Sequence, residues 1–211
     1  MEIIDNIPEE LKFQIKELVV GYKTTSSLKE EWNGEKCYKN GTYRTWSKPG
    51  VLKKIENFKN GELHGVQQKW YNSGKLLYSF NFQNGKLHGI QRKWYNNGSI
   101  FCYETYNNGE LDGLRQKWYK NGNKKFKKMY KNGKKHGKYS ELFHNGKISS
   151  KGTYNYNEYH GLITTYNFNG QILTIANYKK GVPHGVFQKF DNGRVLCDYT
   201  FEDGKIINCN N

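Results

Sequence analysis

The sequence predicts an all-β protein: an elongated, single-layer, solenoid-like stack of antiparallel β-hairpins, about seven units long, with a short N-terminal capping helix. Three observations lead there. Glycine recurs every 24 residues, at Gly41, Gly65, Gly89, Gly113, Gly137, Gly161 and Gly185, with no insertion or deletion between them. A second glycine column follows nine residues behind, at Gly50, Gly74, Gly98, Gly122, Gly146 and Gly170, and slips by one to Gly193 in the last unit. Between the glycines lie short segments rich in Trp, Tyr, Phe, Val and Ile, which suit a pleated, half-buried surface. Two turns per unit imply two strands, and a short fixed period implies a quasi-one-dimensional stack.

Residues 1–40 form the capping helix and its linker. Pro8 suits a first helical turn, Glu9 and Glu10 favour its positive end, and Leu11, Ile15, Leu18, Val19 and Tyr22 share one helical face, giving a helix from Pro8 to Val20. Trp32 begins a first, irregular strand. The array occupies residues 41–207, and 208–211 are a frayed tail. In the unit that starts at Gly65, Val66 to Tyr71 is one strand, Asn72-Ser73-Gly74 a turn, Lys75 to Phe82 a second strand, and Gln83 to Gly89 the return loop. Alternation with period two sends Val66 and Trp70 to one face and Gln67, Lys69 and Tyr71 to the other. The apolar pair is expected inside. The same position carries Trp46, Trp70, Trp94, Trp118, Leu142, Tyr166 and Phe190, and its second-strand counterpart is Phe58, Phe82, Tyr106, Tyr130, Tyr154, Tyr178 and Phe201. With strands about 4.8 Å apart, seven hairpins extend roughly 65 Å.

Composition narrows the function. Hydrophobic residues are only 35% of the chain, so the core is thin, and aromatics at 16% must supply most of it. Four cysteines, at Cys37, Cys102, Cys197 and Cys209, show neither metal-site pairing nor the density of a secreted disulfide scaffold, which points to a reducing, intracellular and cytoplasmic setting. There is no signal peptide pattern and no run of 18 apolar residues. No nucleophile with its base, paired carboxylates, phosphate-binding glycine loop or metal-ligand spacing appears, so the chain is expected to be no enzyme and to need no cofactor or metal.

The segments Asn60-Gly61-Glu62-Leu63-His64-Gly65, Asn84-Gly85-Lys86-Leu87-His88-Gly89 and Asn132-Gly133-Lys134-Lys135-His136-Gly137 resemble the Asn-Gly-x-x-His-Gly core of MORN repeats. Trp94-Tyr95-Asn96-Asn97-Gly98 and Asn108-Gly109-Glu110-Leu111-Asp112-Gly113 are similar to the MORN-variant, antitoxin-like subgroup. The resemblance spans residues 41–204. It implies a β-hairpin repeat fold, a scaffold role, pairing into homodimers and, through the subgroup, neutralisation of a partner protein. Similar arrays, and a similar Lys/Asn/Ile/Tyr-rich composition, belong to large DNA viruses. The chain departs from the standard unit at Gln67, Gln91 and Arg115, where a second glycine is usual, and at Asn157-Glu158-Tyr159-His160-Gly161, which lacks the leading glycine. Ile7-Pro8-Glu9-Glu10-Leu11 also resembles the first turn of an F-box, whose remaining helices do not fit before Gly41.

Net charge is +15, and residues 1–35, with eight acids and four lysines, stand apart from the basic remainder. From Gly113 to Ser140 there is no acid but Arg115 and ten lysines. The candidate surface for an anionic partner is therefore Arg115, Lys117, Lys124, Lys125, Lys127, Lys128, Lys131, Lys134 and Lys135, flanked by an outer-face ladder of Lys69, Tyr71, Lys93, Tyr95 and Tyr119. It suits an acidic protein, nucleic acid or an anionic membrane; equally, surface lysines keep an extended sheet soluble. The leading expectation is a non-catalytic scaffold that binds a protein partner. The histidines His64, His88, His136, His160 and His184 share one column with Asp112. Their spacing of about 10 Å is too wide for one metal, which leaves a hydrogen-bonding role at the turns.

Overall fold

The computed structural model describes residues 31–32, 37–48 and 50–209, and they are strands and turns throughout. The expected capping helix lies outside them. Glu31–Trp32 pairs antiparallel with Cys37–Tyr38 inside the segment expected to be a linker. Two units follow. The first holds the described residues up to Leu87 with Asn96–Gly98, and the second holds His88–Tyr95 with everything from Ser99.

In the first unit Gly41–Lys48 pairs with Val51–Lys59, Val51–Lys59 with Glu62–Leu63 and Gly65–Trp70, and Gly65–Trp70 with Leu76–Gln83. In the second, Gly89–Trp94, Ile100–Asn107, Glu110–Trp118, Lys124–Lys131, Lys134–Leu142, Ile148–Asn155, Gly161–Tyr166, Ile172–Lys179, Val182–Asp191, Arg194–Glu202 and Lys205–Cys209 each pair antiparallel with the next. The last strand runs through Asn208 and Cys209, opposite Thr200 and Tyr199, so pairing continues two residues beyond the expected end at Ile207.

Turn chemistry explains the period. Return turns put two successive residues at positive φ, as a two-residue hairpin turn demands: Asn60 and Gly61 at 52° and 82°, Asn132 and Gly133 at 48° and 74°. Where the leading glycine is missing, Tyr156 and Asn157 adopt 47° and 76°, with Asn157 taking the glycine's place. Successive turns are bonded to each other. Gly61 N donates to Lys39 O at 2.9 Å, Gly133 N to Leu111 O at 2.8 Å and Asn157 N to Lys135 O at 2.9 Å. The slip at Gly193 has a simple cause. Asp191 pairs directly with Arg194 across a two-residue Asn192-Gly193 turn, whereas the unit that starts at Gly65 uses a longer turn in which Gly74 N donates to Tyr71 O and Tyr71 N to Lys75 O.

On the first strand of the unit the packed face is the opposite of the one expected. Val66 is 45% exposed and Leu162 57%, while Gln67 and Gln91 are 3% and 1% exposed. The tryptophan position is half-buried at Trp46, Trp70, Trp94 and Trp118 alike. Full burial falls instead at the residue two past the glycine in four of the units, at Gln67, Gln91, Tyr139 and Ile163, with Tyr43, Arg115 and Phe187 half-buried there, and on the second strand at Tyr130 and Tyr154 as expected. Gln67 is inside because it hydrogen-bonds there. Its Oε1 accepts from Asn57 N at 2.8 Å and its Nε2 donates to Asn57 O at 2.9 Å, where strand pairing is interrupted between Leu63 and Gly65. In the second unit, Tyr139, Tyr154 and Ile163 form the packed cluster, with Tyr159 and Tyr178 against it. The Tyr139 and Tyr154 rings lie 4.7 Å apart and those of Tyr154 and Tyr159 4.8 Å. Gly152 makes room for them: a Cβ there would meet Ile163 Cδ1 at 2.3 Å and Leu162 O at 3.1 Å.

Candidate functional site

The basic segment occupies three neighbouring strands, Glu110–Trp118, Lys124–Lys131 and Lys134–Leu142, and alternation divides its charges between two faces. Arg115 belongs to the packed face. Its Nε donates to Glu104 Oε1 at 2.8 Å and its Nη1 to Tyr130 Oη at 3.4 Å, and the guanidinium sits 5.7 Å from the Phe126 ring centre and 5.8 Å from that of Tyr130. Burial works against its charge, but the bonds to Tyr130 and Glu104 outweigh this and raise its affinity for the proton. Lys128, opposite Arg115, meets Glu141 at 2.5 Å and lies 5.0 Å from the Phe126 ring. Lys117 lies 5.3 Å from the Phe101 ring, Lys124 6.0 Å from Trp118, and Lys135 4.8 Å from Tyr154. With Lys125, six of the nine predicted cations meet acids or rings, and the five just named are half-buried.

The others differ. Lys125, Lys127, Lys131 and Lys134 are exposed, as is Lys138, and among the described residues none of them forms an ion pair. Lys125 lies 5.5 Å from the Tyr119 ring. Lys131 stands directly across from Lys134, a like-charge pairing that weakens a sheet.

The flanking ladder is placed differently from the expectation. Lys69 follows Gln67 on the packed-face phase, opposite Tyr78, and Lys93 lies opposite Cys102 there. Tyr95 and Tyr119 are half-buried ties between repeats: Tyr95 Oη donates to Trp118 O at 2.8 Å and Tyr119 Oη to Leu142 O at 2.9 Å. Tyr71 is half-buried as well. Tyr95 and Tyr119 thus tie neighbouring repeats together, while Lys69 is exposed.

In the column of the histidines, Asn40, Asp112 and His184 bond the return turns. Asp112 Oδ2 accepts from Asn132 N at 3.3 Å and His184 Nδ1 from Asp203 N at 3.5 Å, and Asn40 Oδ1 accepts from Asn60 N at 2.6 Å one repeat before His64. The Nδ1 atoms of His64, His88 and His136 are buried without a partner. Among the described residues no group of three or more His, Cys, Asp and Glu side chains is placed to hold a metal ion. Cys102 is buried and free, and burial pushes its thiol pKa up; Cys197 is half-buried and Cys209 exposed.

Five tandem matches to the MORN repeat variant model cover residues 63–84, 87–108, 111–132, 135–156 and 159–180, just over half of the chain. The chain belongs to the MORN repeat variant family. MORN repeats are non-enzymatic scaffolds that serve protein and membrane interaction. A search of curated proteins returned no match. Each matched segment holds one pair of long strands with the turn between them, and the second residues of the return turns, Gly85, Gly109, Gly133 and Asn157, fall between matches.

Sequence reasoning missed two things. It did not find Glu104 and Glu141 as partners of Arg115 and Lys128, because those pairs depend on strand register. It also passed over a groove on the exposed face lined by Lys127, Met129, Lys138, Ser140, Lys151 and Leu162, about 480 Å³ in volume.

Proposed function

We propose that this MORN array is a non-catalytic scaffold that binds a protein partner of acidic character through the exposed lysines of residues 125–138. The supporting observation is that Lys125, Lys127, Lys131, Lys134 and Lys138 project from adjacent strands without carboxylate partners among the described residues, including the cross-strand pair Lys131 and Lys134. Solubility alone would be served by mixed signs; a single-sign cluster held at some cost in stability favours recognition. The half-buried cations Arg115, Lys117, Lys124, Lys128 and Lys135 are set against acids and rings instead. An antitoxin-like role and a viral origin rest on resemblance alone, and no residue described above argues for either.

The test is affinity capture from a source extract with the native chain and with Lys125→Glu/Lys131→Glu/Lys134→Glu, three exposed positions whose reversal spares the ion pairs. A partner retained by the first and lost by the second supports the reading. Equal capture by both overturns it, and replacement of the partner by nucleic acid or anionic vesicles, with steep loss between low and moderate salt, favours an electrostatic polyanion function instead.

A further inference from the structure

The groove on the exposed face is made by departures from the repeat. It lies on the second unit, across Lys124–Lys131, Lys134–Leu142, Ile148–Asn155 and Gly161–Tyr166. One repeat position reads Arg44, Gln68, Arg92, Gln116, then Ser140 and Thr164, and then Gln188, so two long side chains give way to short ones and open the space. Another reads Asn57, Asn81, Thr105, Met129, Thr153 and Asn177. At it, Asn57 Nδ2 donates to Val66 O and Thr105 Oγ1 to Leu114 O at 3.3 Å, whereas Met129 has no such donor and leaves an apolar surface. A third is apolar at Val66, Ile90, Leu114, Leu162 and Val186 but lysine at Lys138, and a fourth reads Ile55, Ser79, Tyr103, Lys127, Lys151 and Ile175. All these departures line one groove.

Register sets the arrangement. Lys127 pairs with Ser140, Ser140 with Lys151, and Lys151 with Thr164, forming one row across four strands; Lys138 pairs with Thr153 beside it. Lys127 and Lys151 are two strands apart, about 10 Å. The apolar surface between and beside them comes from Met129, Ile148 and Leu162, and none of the lining residues is acidic.

We infer that this groove holds an extended acidic segment of a protein partner, with two carboxylates about three residues apart flanking an apolar side chain. An extended chain of the polyproline II type rises about 3.1 Å per residue and returns to the same side every third residue, so two carboxylates three residues apart both face the groove and span the Lys127–Lys151 separation. The apolar side chain lies on Met129 and Leu162, and Lys138 closes on the carboxylate nearest it. The groove face of a second copy would bring lysine against lysine, and the groove presents no exposed ring on which a base stacks, since Tyr139 is buried. The inference rests on the protein-partner reading and specifies its site.

The experiment is fluorescence anisotropy of the full chain with labelled peptide probes: Ser-Glu-Leu-Thr-Glu-Leu-Ser, the same peptide with Gln for Glu, and the same peptide with Ser for Leu. The acidic apolar probe binds, and each control probe binds about ten-fold more weakly or worse. Lys138→Gln, Lys127→Glu and Leu162→Ser, all at exposed positions, each weaken the first probe several-fold, while Lys205→Glu, exposed on the last strand, leaves it unchanged. No binding of the first probe at millimolar concentration, equal binding of the Gln probe, or indifference to Lys138→Gln overturns the inference. Groove-dependent binding of anionic vesicles or single-stranded DNA in preference to the peptide also overturns it. If affinity capture is lost with Lys125→Glu/Lys131→Glu/Lys134→Glu but retained with Lys138→Gln, the scaffold function stands and the groove assignment fails.

Discussion

Gln67 completes a broken strand ladder for Asn57: its side-chain amide accepts from Asn57 N at 2.8 Å and donates to Asn57 O at 2.9 Å. A side chain stands in for a neighbouring strand's peptide group, which is why a polar residue is 3% exposed in a sheet with few apolar residues to bury. Gln67→Leu removes the acceptor of Asn57 N, while Asn57 O keeps its bond from His64 N at 2.9 Å, and should cost about 1–3 kcal/mol for the one group left unpaired. Denaturant unfolding checks this; a leucine variant as stable as the native chain would show that the bonds contribute nothing net.

Gly152 is under a different constraint from the turn glycines. Its φ is ordinary, and what forbids a side chain is the space taken by Ile163, Tyr139 and the Leu162 carbonyl. The Ile163 tip can move, but the carbonyl belongs to a paired strand. Gly152→Val should lose about 1–3 kcal/mol, by overpacking. Thermal unfolding measures it, and an unchanged midpoint would mean the Tyr139–Ile163 packing is looser than described.

His64 offers a gain. Asn40 and Asp112, in the same repeat position, each accept a backbone N–H from the return turn twenty residues on, and the His64 Nδ1 is buried without a partner. His64→Asn supplies an acceptor like that of Asn40 and should stabilise by about 0.5–1.5 kcal/mol. A lower denaturation midpoint would contradict this account of the column.

Tyr139 and Tyr154 carry the pH dependence. Burial, first, and the neighbouring Tyr159 raise both phenol pKa values above the ordinary value of about 10. For groups raised in the folded state, the stabilisation is fully present below pH of about 10 and is lost as pH rises above it. Phenolate absorbance of these two tyrosines should therefore develop together with loss of the strand signal in circular dichroism. Titration of every tyrosine near pH 10 with the sheet intact would contradict it.

Much of this fold is legible in the sequence because turn backbone has narrow chemical requirements. The Asn-Gly pairs mark residues that must take positive φ, and the two glycine columns give strand lengths, pairing order and period. The faces were less legible. Alternation reports that Val66 and Gln67 point apart, and the apolar residue is the natural choice for the interior; yet in a single sheet the interior site beside a gap in the ladder favours the side chain that can hydrogen-bond. The charges were legible in number and not in availability. Arg115 and Lys128 are adjacent to Lys117 and Lys127 in the chain's charge count, but register sets them against Glu104 and Glu141. The groove left a trace at Met129, Lys138, Ser140 and Thr164, each breaking its repeat position, but only strand pairing shows that the four breaks meet.

That one face of the second unit packs on its tyrosines while the other stays free to bind is tested most directly at two consecutive residues, Leu162 and Ile163, 57% and 5% exposed. Leu162→Cys and Ile163→Cys, labelled with a small alkylating reagent and read by peptide mass, should differ greatly in rate, Leu162→Cys reacting as an exposed thiol and Ile163→Cys only as the sheet opens. Equal rates, or faster labelling at Ile163→Cys, would contradict the assignment of the faces and with it the binding surface.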